Sequence, residues 1–316
     1  MSDTDVAEIH HPSRPVIGVV GLGAMGGQIA GRLLSQGNLV YGTNRTKAKA
    51  DPLIDRGLRW CDTPRQVTEV ADVIISMVTD SDALQAVTGG PDGILAGLQP
   101  GKVYLDMSTI SPASSRELAG RVAASGAAML AAPVSGSVPA VADGSLAIIV
   151  GGDPDAYPRV EPILRQLGST VTFVGDNEHA LLLKLAINIS LAVQMLAFSE
   201  GVLLAEQGGV DRHLALDVLT HSAIGSPMLK TRAPLLLAPP GKAWFDVAMM
   251  QKDLRLALDT AHDLAVPLPS TAVADEMLTA ARAHGYQHRD IAVLFQLLDD
   301  LTPAPASHPG HPFATA

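Results

Sequence analysis

Apolar residues in the first half of the chain fall in short β-branched runs separated by amphipathic stretches. The runs predict strands at Val16–Val20, Asn38–Gly42, Val73–Met77, Val103–Asp106, Ala128–Leu130, Leu146–Val150 and Val171–Val174. Stretches such as Pro64–Val70, Ser81–Val87 and Ser114–Ser125 between them carry helical spacing. Strand–helix alternation of this kind predicts a largely parallel sheet with helices on both faces. From Glu178 the strand signals stop. Helical patterns run through Ala180–Glu206, Arg212–Ser222, Trp244–Leu264, Ala272–His284 and Asp290–Leu301. Gly208-Gly209, Pro239-Pro240-Gly241, Pro267 and Pro269 punctuate them. The expected organisation is therefore a flexible arm over 1–14, an α/β domain over 15–177, an all-helical domain over 178–302 and a disordered Pro/Ala-rich tail over 303–316.

The first strand ends in a glycine cluster, Gly21-Leu22-Gly23-Ala24-Met25-Gly26, and a helical pattern through Ile29, Ala30, Leu33 and Leu34 follows at once. Strand, G-x-G-x-x-G turn and helix in that order form a dinucleotide-binding element. Gly21 permits the tight turn, Gly23 lets backbone approach a pyrophosphate, and Gly26 lets helix and strand pack closely. The helix N-terminus offers free N–H groups and a positive dipole end to the phosphates. The first domain is thus expected to be a Rossmann-type doubly wound unit.

Composition narrows the partners. The 316 residues hold 22 Lys+Arg against 32 Asp+Glu, a net charge of −10, which argues against nucleic acid or an anionic membrane. The single cysteine, Cys61, cannot close an intrachain disulfide and fits a reducing, cytoplasmic setting. No metal site is expected; His308 and His311 are isolated in the tail. Leu181–Phe198 approaches a membrane span in length and hydropathy but contains Lys184, Asn188 and Gln194. A helix buried on nearly all sides, inside a soluble protein or its dimer, is the expectation. Helices this apolar also predict a homodimer or homotetramer.

After the second strand, NAD-selective sites usually place a carboxylate for the ribose 2′-hydroxyl. Here the chain reads Thr43, Asn44, Arg45, Thr46, with Lys47 and Lys49 beyond. Arg45 can pair with a 2′-phosphate, and Asn44 and Thr46 can donate hydrogen bonds to it. NADP(H) is therefore expected over NAD(H), although NAD(H) use stays open.

Lys184 and Asn188 lie four residues apart and share one helix face. Three fates are open to a lysine in so apolar a segment. It can snorkel outward, pair with an acid, or work in a cleft with a lowered pKa, trading protons with a hydroxyl near neutral pH. Two loops add polar atoms after strands: Asp106-Met107-Ser108-Thr109 and Ala132-Pro133-Val134-Ser135-Gly136-Ser137. In sheets of this type ligands bind outside the carboxyl ends of the strands.

The combination resembles the β-hydroxyacid dehydrogenase family. The matching motifs are GLGAMG at Gly21–Gly26, DMSTISP at Asp106–Pro112, APVSGS at Ala132–Ser137, Lys184 with Asn188, and Phe245 followed by Lys252-Asp253-Leu254. They cover nearly the whole chain between the two tails. The resemblance implies a Rossmann domain plus an all-helical domain, usually oligomeric, with the active site between them. It implies Lys184 as general acid/base and Asn188 as its hydrogen-bonding partner. Ser135, Gly136 and Ser137 would hold the substrate carboxylate, with Phe245 and Asp253 bordering the substrate. Met77, Val78, Thr109 and Lys252 would line the cofactor.

This chain departs from the family pattern at Ala131, Ser137, Ala140, Glu178, Ala180 and Ile187. Ser137 and Ala140 are expected to remodel the anion loop and Glu178 to put a charge at the cleft hinge, which leaves the exact substrate open. The implied reaction interconverts a small β-hydroxy acid and its semialdehyde. Imine reduction is an alternative, although imine reductases usually replace the lysine by Asp or Tyr. A non-catalytic cofactor-binding scaffold is a further one, although such modules tend to lose the lysine.

Overall fold

The computed structural model, which describes residues 14–302, has nine strands, seven of them from the expected apolar runs: β1 Ile17–Val20, β2 Val40–Thr43, β3 Arg59–Trp60, β4 Val73–Ser76, β5 Val103–Asp106, β6 Ala128–Ala131, β7 Val134–Ser135, β8 Ala147–Gly152 and β9 Thr170–Phe173. The arm (but for Arg14) and the tail, with His308 and His311, lie outside the described residues. β3 and β7 escape a sequence reading because two residues carry no period-2 signal. The strand order is β3-β2-β1-β4-β5-β6-β8-β7, with β9 paired to β8. Strands β1 to β6 pair in parallel, and β8 turns antiparallel against β6 and β7. The order reverses between β1 and β4, the topological switch point of a doubly wound sheet.

β1, β4 and β5 are buried at every residue, as expected of parallel strands covered on both faces. Ile17, Val19, Ile29, Leu33, Ile75, Leu105, Leu130 and Ile148 fill the core of this unit. Local chemistry sets several helix starts. Thr63 accepts from the Gln66 N–H ahead of Pro64–Val70, and Asp80 accepts from the Ala83 N–H ahead of Ser81–Thr88.

The chain divides into two compact units between Asn177 and Glu178, with Thr109–Ser115 grouped with the second. The second unit is helical: Asn177–Gln207, Arg212–His221, Pro227–Arg232, Pro234–Leu237, Val247–Asp263, Pro269–Ala283 and Leu294–Leu301. Met195, Phe198, Val202, Met250, Leu254, Leu278 and Phe295 form its core. Most helix bounds shift by one to three residues from the sequence expectation, and two of the shifts have a clear cause. Val247–Asp263 starts three residues late because Asp246 caps it, accepting from the Met249 N–H. The last pattern splits into a 3₁₀ turn, Ile291–Val293, and Leu294–Leu301, because Asp290 accepts from the Ala292 N–H.

The long helix is also less enclosed in the single chain than expected. By length and composition it could cross a membrane. Leu181, Leu185, Ala192, Met195 and Phe198 are buried, yet Leu183, Ala186, Ser190, Ala197 and Leu204 form an exposed stripe. Leu204 is 77% exposed, and Leu214 and Val218 on the next helix are more than half exposed.

Candidate active site

The glycine turn follows β1. Gly21 has φ +95°, and a Cβ there would collide with the Met77 carbonyl oxygen and crowd Val78 Cγ1. A Cβ on Gly26 would overlap the Gly21 carbonyl oxygen, so this glycine is required by the turn itself. Gly23 differs: an added Cβ meets nothing within 4 Å. It is exposed, next to exposed Ala24 at the N-terminus of helix Ala24–Ser35. The fold therefore does not need a glycine at Gly23; a close-lying ligand would. Open backbone N–H groups at a helix start, free of side-chain bulk, fit a dinucleotide pyrophosphate.

The turn after β2 is tied to this loop. Asn44 Oδ1 accepts from the Leu22 N–H at 3.0 Å, and its Nδ2 donates to the Thr46 carbonyl at 2.9 Å. Asn44 thus joins the glycine turn to the Arg45–Thr46 turn. Sequence reading places it among the phosphate donors; its tie to Leu22 in the glycine turn was not written in the sequence. Arg45 and Thr46 are exposed beside it, and Lys47 stands over the Trp60 ring at 5.3 Å.

Met77 and Val78 follow β4 and pack on Gly21. Ser135, Gly136 and Ser137 lie at the other edge of the sheet, where Ser135 in β7 pairs with Ala147. Gly136 has φ +138°, which favours glycine, and Ser137 precedes the short helix Val138–Asp143.

In the second unit five of the expected residues form one hydrogen-bonded chain. Lys184 is 9% exposed and donates from Nζ to Asn188 Oδ1 at 2.9 Å. Asn188 Nδ2 donates to Asp253 Oδ2 at 2.5 Å. Lys252 Nζ lies 2.5 Å from Asp253 Oδ1 as an ion pair, and donates to the Thr109 carbonyl at 2.6 Å. The carboxylate fixes which way the Asn188 amide faces, because Nδ2 must point to Asp253 and Oδ1 must then face Lys184. Burial pushes the Lys184 ammonium down from 10.5 to about 8; Asp253 opposes this and Lys252 adds to it. The sequence placed Lys184 and Asn188 on one face. It gave no sign that Asp253, 65 residues further on, would orient the asparagine.

Phe245 precedes the same helix as Lys252 and is half-buried. Its N–H and that of Trp244 donate to Asp290 Oδ2, whose Oδ1 accepts from Arg232 at 2.6 Å. This buried ion pair was not legible in the sequence. Among the described residues no group of three or more His, Cys, Asp or Glu is arranged to hold a metal ion.

The chain is similar to known proteins along nearly its whole length. Residues 16–175 fit the family described as the NAD binding domain of 6-phosphogluconate dehydrogenase. Residues 179–298 fit that described as the NAD-binding of NADP-dependent 3-hydroxyisobutyrate dehydrogenase. The chain is 35% identical to 2-hydroxy-3-oxopropionate reductase of Escherichia coli K12, over 90% of this chain and 97% of the relative. It is 32% identical to the chloroplastic glyoxylate/succinic semialdehyde reductase 2 of Arabidopsis thaliana, over 89% and 79%. It spans about half the length of the vertebrate cytokine-like nuclear factor N-PAC, 33% identical in the human protein and covering 52% of it. Among solved structures, Psf3 in complex with NADP+ and 2-OPP superposes with a TM-score of 0.83 at 29% identity, over 89% of this chain and 99% of Psf3. An imine reductase from Pseudomonas sp. superposes less well, at 0.61 and 25%, over 90% and 99%. With a glycine turn shaped for a dinucleotide, a buried lysine in a polar chain and family matches over both units, the chain belongs to the β-hydroxyacid dehydrogenase family of NAD(P)-dependent oxidoreductases.

Proposed function

We propose that the protein is an NADP(H)-dependent enzyme that interconverts a small β-hydroxy acid and its semialdehyde, with Lys184 as general acid and base. The observation that carries this is the Lys184–Asn188–Asp253 chain: a buried ammonium held by an oriented amide and brought to about 8. When bound, the nicotinamide supplies or accepts the hydride. In reduction the Lys184 ammonium donates its proton to the carbonyl oxygen; in oxidation the free amine removes the hydroxyl proton. Asn188 holds Nζ in place through either step, since its orientation is set by Asp253 rather than by Lys184. Lys252 pairs with Asp253 and anchors the segment at Thr109.

Ser135, Gly136 and Ser137 would hold the substrate carboxylate, and Phe245 would border its apolar part. The relatives named above support a carboxylated aldehyde, because 2-hydroxy-3-oxopropionate, glyoxylate and succinic semialdehyde all carry a carboxylate next to or near the carbonyl. The preference for NADP(H) draws support from Arg45 and Thr46 at the end of β2, from the absence of an acid there, and from the NADP+ complex of Psf3. Assembly as a homodimer or homotetramer draws support from the exposed apolar stripe of Leu183, Leu204, Leu214 and Val218. Light scattering on the purified protein tests that point.

The function is tested with a panel of semialdehydes, glyoxylate and cyclic imines, following NADPH and NADH oxidation in parallel. The expected result is turnover of a carboxylated aldehyde with NADPH preferred. Lys184→Ala should lose turnover by at least about a thousand-fold while NADPH still binds. Faster turnover of a cyclic imine than of every aldehyde would instead establish imine reduction, and binding without turnover of any compound would point to a scaffold.

A further inference from the structure

Helix Val247–Asp263 carries two charged side chains in succession, Lys252 and Asp253, and a third, Lys184, reaches the same carboxylate through Asn188. One acid is thus shared between two lysines. All three are withdrawn from water: Asp253 is 2% and Lys184 9% exposed, and the Lys252 side chain 22%. Which lysine the acid holds decides how firmly the other keeps its proton.

The oxygens of Asp253 are divided. Oδ2 accepts from Asn188 Nδ2. Oδ1 pairs with Lys252 Nζ at 2.5 Å and, among the described residues, meets no other donor. Adjacent residues on a helix do not face one another, so this pairing is not a habit of helical geometry. The Thr109 carbonyl, 2.6 Å from Lys252 Nζ, holds the side chain in that place. Lys184 is left with the Asn188 amide oxygen at 2.9 Å. An amide oxygen holds an ammonium less firmly than a carboxylate does. Burial brings the Lys184 ammonium down to about 8; the charges acting on it are Asp253, which opposes this, and Lys252, which adds to it. Glu178 and His179 stand on its own helix, more than a turn before it. With Lys252 made neutral, Asp253 Oδ1 lacks its partner, and Lys184 is the ammonium left to answer the carboxylate.

We propose that Lys252 is a positioning residue for the proton on Lys184: by engaging the Asp253 oxygen that Asn188 leaves open, it restricts the Lys184 ammonium to an amide oxygen and so keeps its proton transferable. This deepens the reading of Lys184 as acid and base, and rests on that reading only for the effect on turnover.

Lys252→Gln removes the charge and keeps a donor for the Thr109 carbonyl; Lys252→Arg keeps the charge. Isotope-labelled lysine, followed at Cε by NMR in the nucleotide-free protein, reports the Lys184 titration directly, its signal being the one absent from Lys184→Met. Wild type should titrate near 8. An opposite charge close by moves a titrating group by about one to three pH units, so Lys252→Gln should titrate at least about one unit higher and Lys252→Arg within about half a unit of wild type. The pH at which reductive turnover falls should move with the Lys184 signal. An unmoved signal in folded Lys252→Gln overturns the proposal, as does Lys252→Arg moving as far as Lys252→Gln. If the glutamine variant does not fold, Lys252→Met takes its place. A signal that moves while the turnover profile stays put upholds the proposal and overturns Lys184 as the proton donor.

Discussion

Replacing Lys184 by Met should abolish turnover and make the protein more stable at neutral pH. Methionine reproduces the lysine stem without its charge. Burial has moved the ammonium from 10.5 to about 8, with Asp253 only partly offsetting the effect. The unfolded chain therefore keeps this proton up to about 10.5, whereas the native protein releases it near 8. Between those values the unfolded state binds more protons, so wild-type stability rises with pH across the window. Below it both states are protonated and the native state carries the whole cost, about 3 kcal/mol at 1.36 kcal/mol per pH unit. Methionine removes that cost and strands the Asn188 Oδ1 acceptor, a loss of about 1 kcal/mol. The expected gain at pH 7 is on the order of 2 kcal/mol, and it should disappear by about pH 10.5. Urea unfolding at pH 7 and pH 10.5 measures it as a shift in midpoint at unchanged slope. A Lys184→Met protein less stable than wild type at pH 7, with the same slope, would refute the reasoning. It would show that the ammonium is held by its partners more strongly than burial penalises it, and a lysine so held is not poised to give up a proton.

The glycine turn offers a paired test. Gly23→Ala should leave the urea midpoint within about 1 kcal/mol of wild type yet weaken NADPH binding at least about ten-fold; Gly26→Ala, whose Cβ overlaps the Gly21 carbonyl, should cost several kcal/mol of stability. The reductive rate should fall as pH rises through about 8 and the oxidative rate should fall as pH drops through it, because one needs the Lys184 ammonium and the other the free amine. Nucleotide titrations should separate the β2 turn residues: Asn44→Ala weakens NADPH and NADH alike, since it loosens the glycine turn, whereas Arg45→Ala weakens NADPH alone. Asp290→Ala should lower stability by about 3–5 kcal/mol by leaving Arg232 buried without its partner, as read by thermal or urea unfolding.

The sequence by itself determined the longer elements and their kind. The β-branched runs, the glycine turn and the loss of strand signals after Glu178 depend on local sterics and on side-chain period, which neighbouring residues carry. The same holds for Lys184 and Asn188, which share a helix face wherever the helix packs. What lies between distant residues belonged to the tertiary structure alone. It turned the Asn188 amide through Asp253, committed both ends of Asn44, gathered Ser76, Tyr104, Asp106 and Ser108 beneath one turn, and buried Arg232 against Asp290. Hydrogen-bond partners and desolvation are set by which surfaces meet when the chain collapses, and no local pattern encodes them. That is why a lysine with three open fates in the sequence acquires, in the folded chain, one partner, one orientation and a proton held near neutral pH.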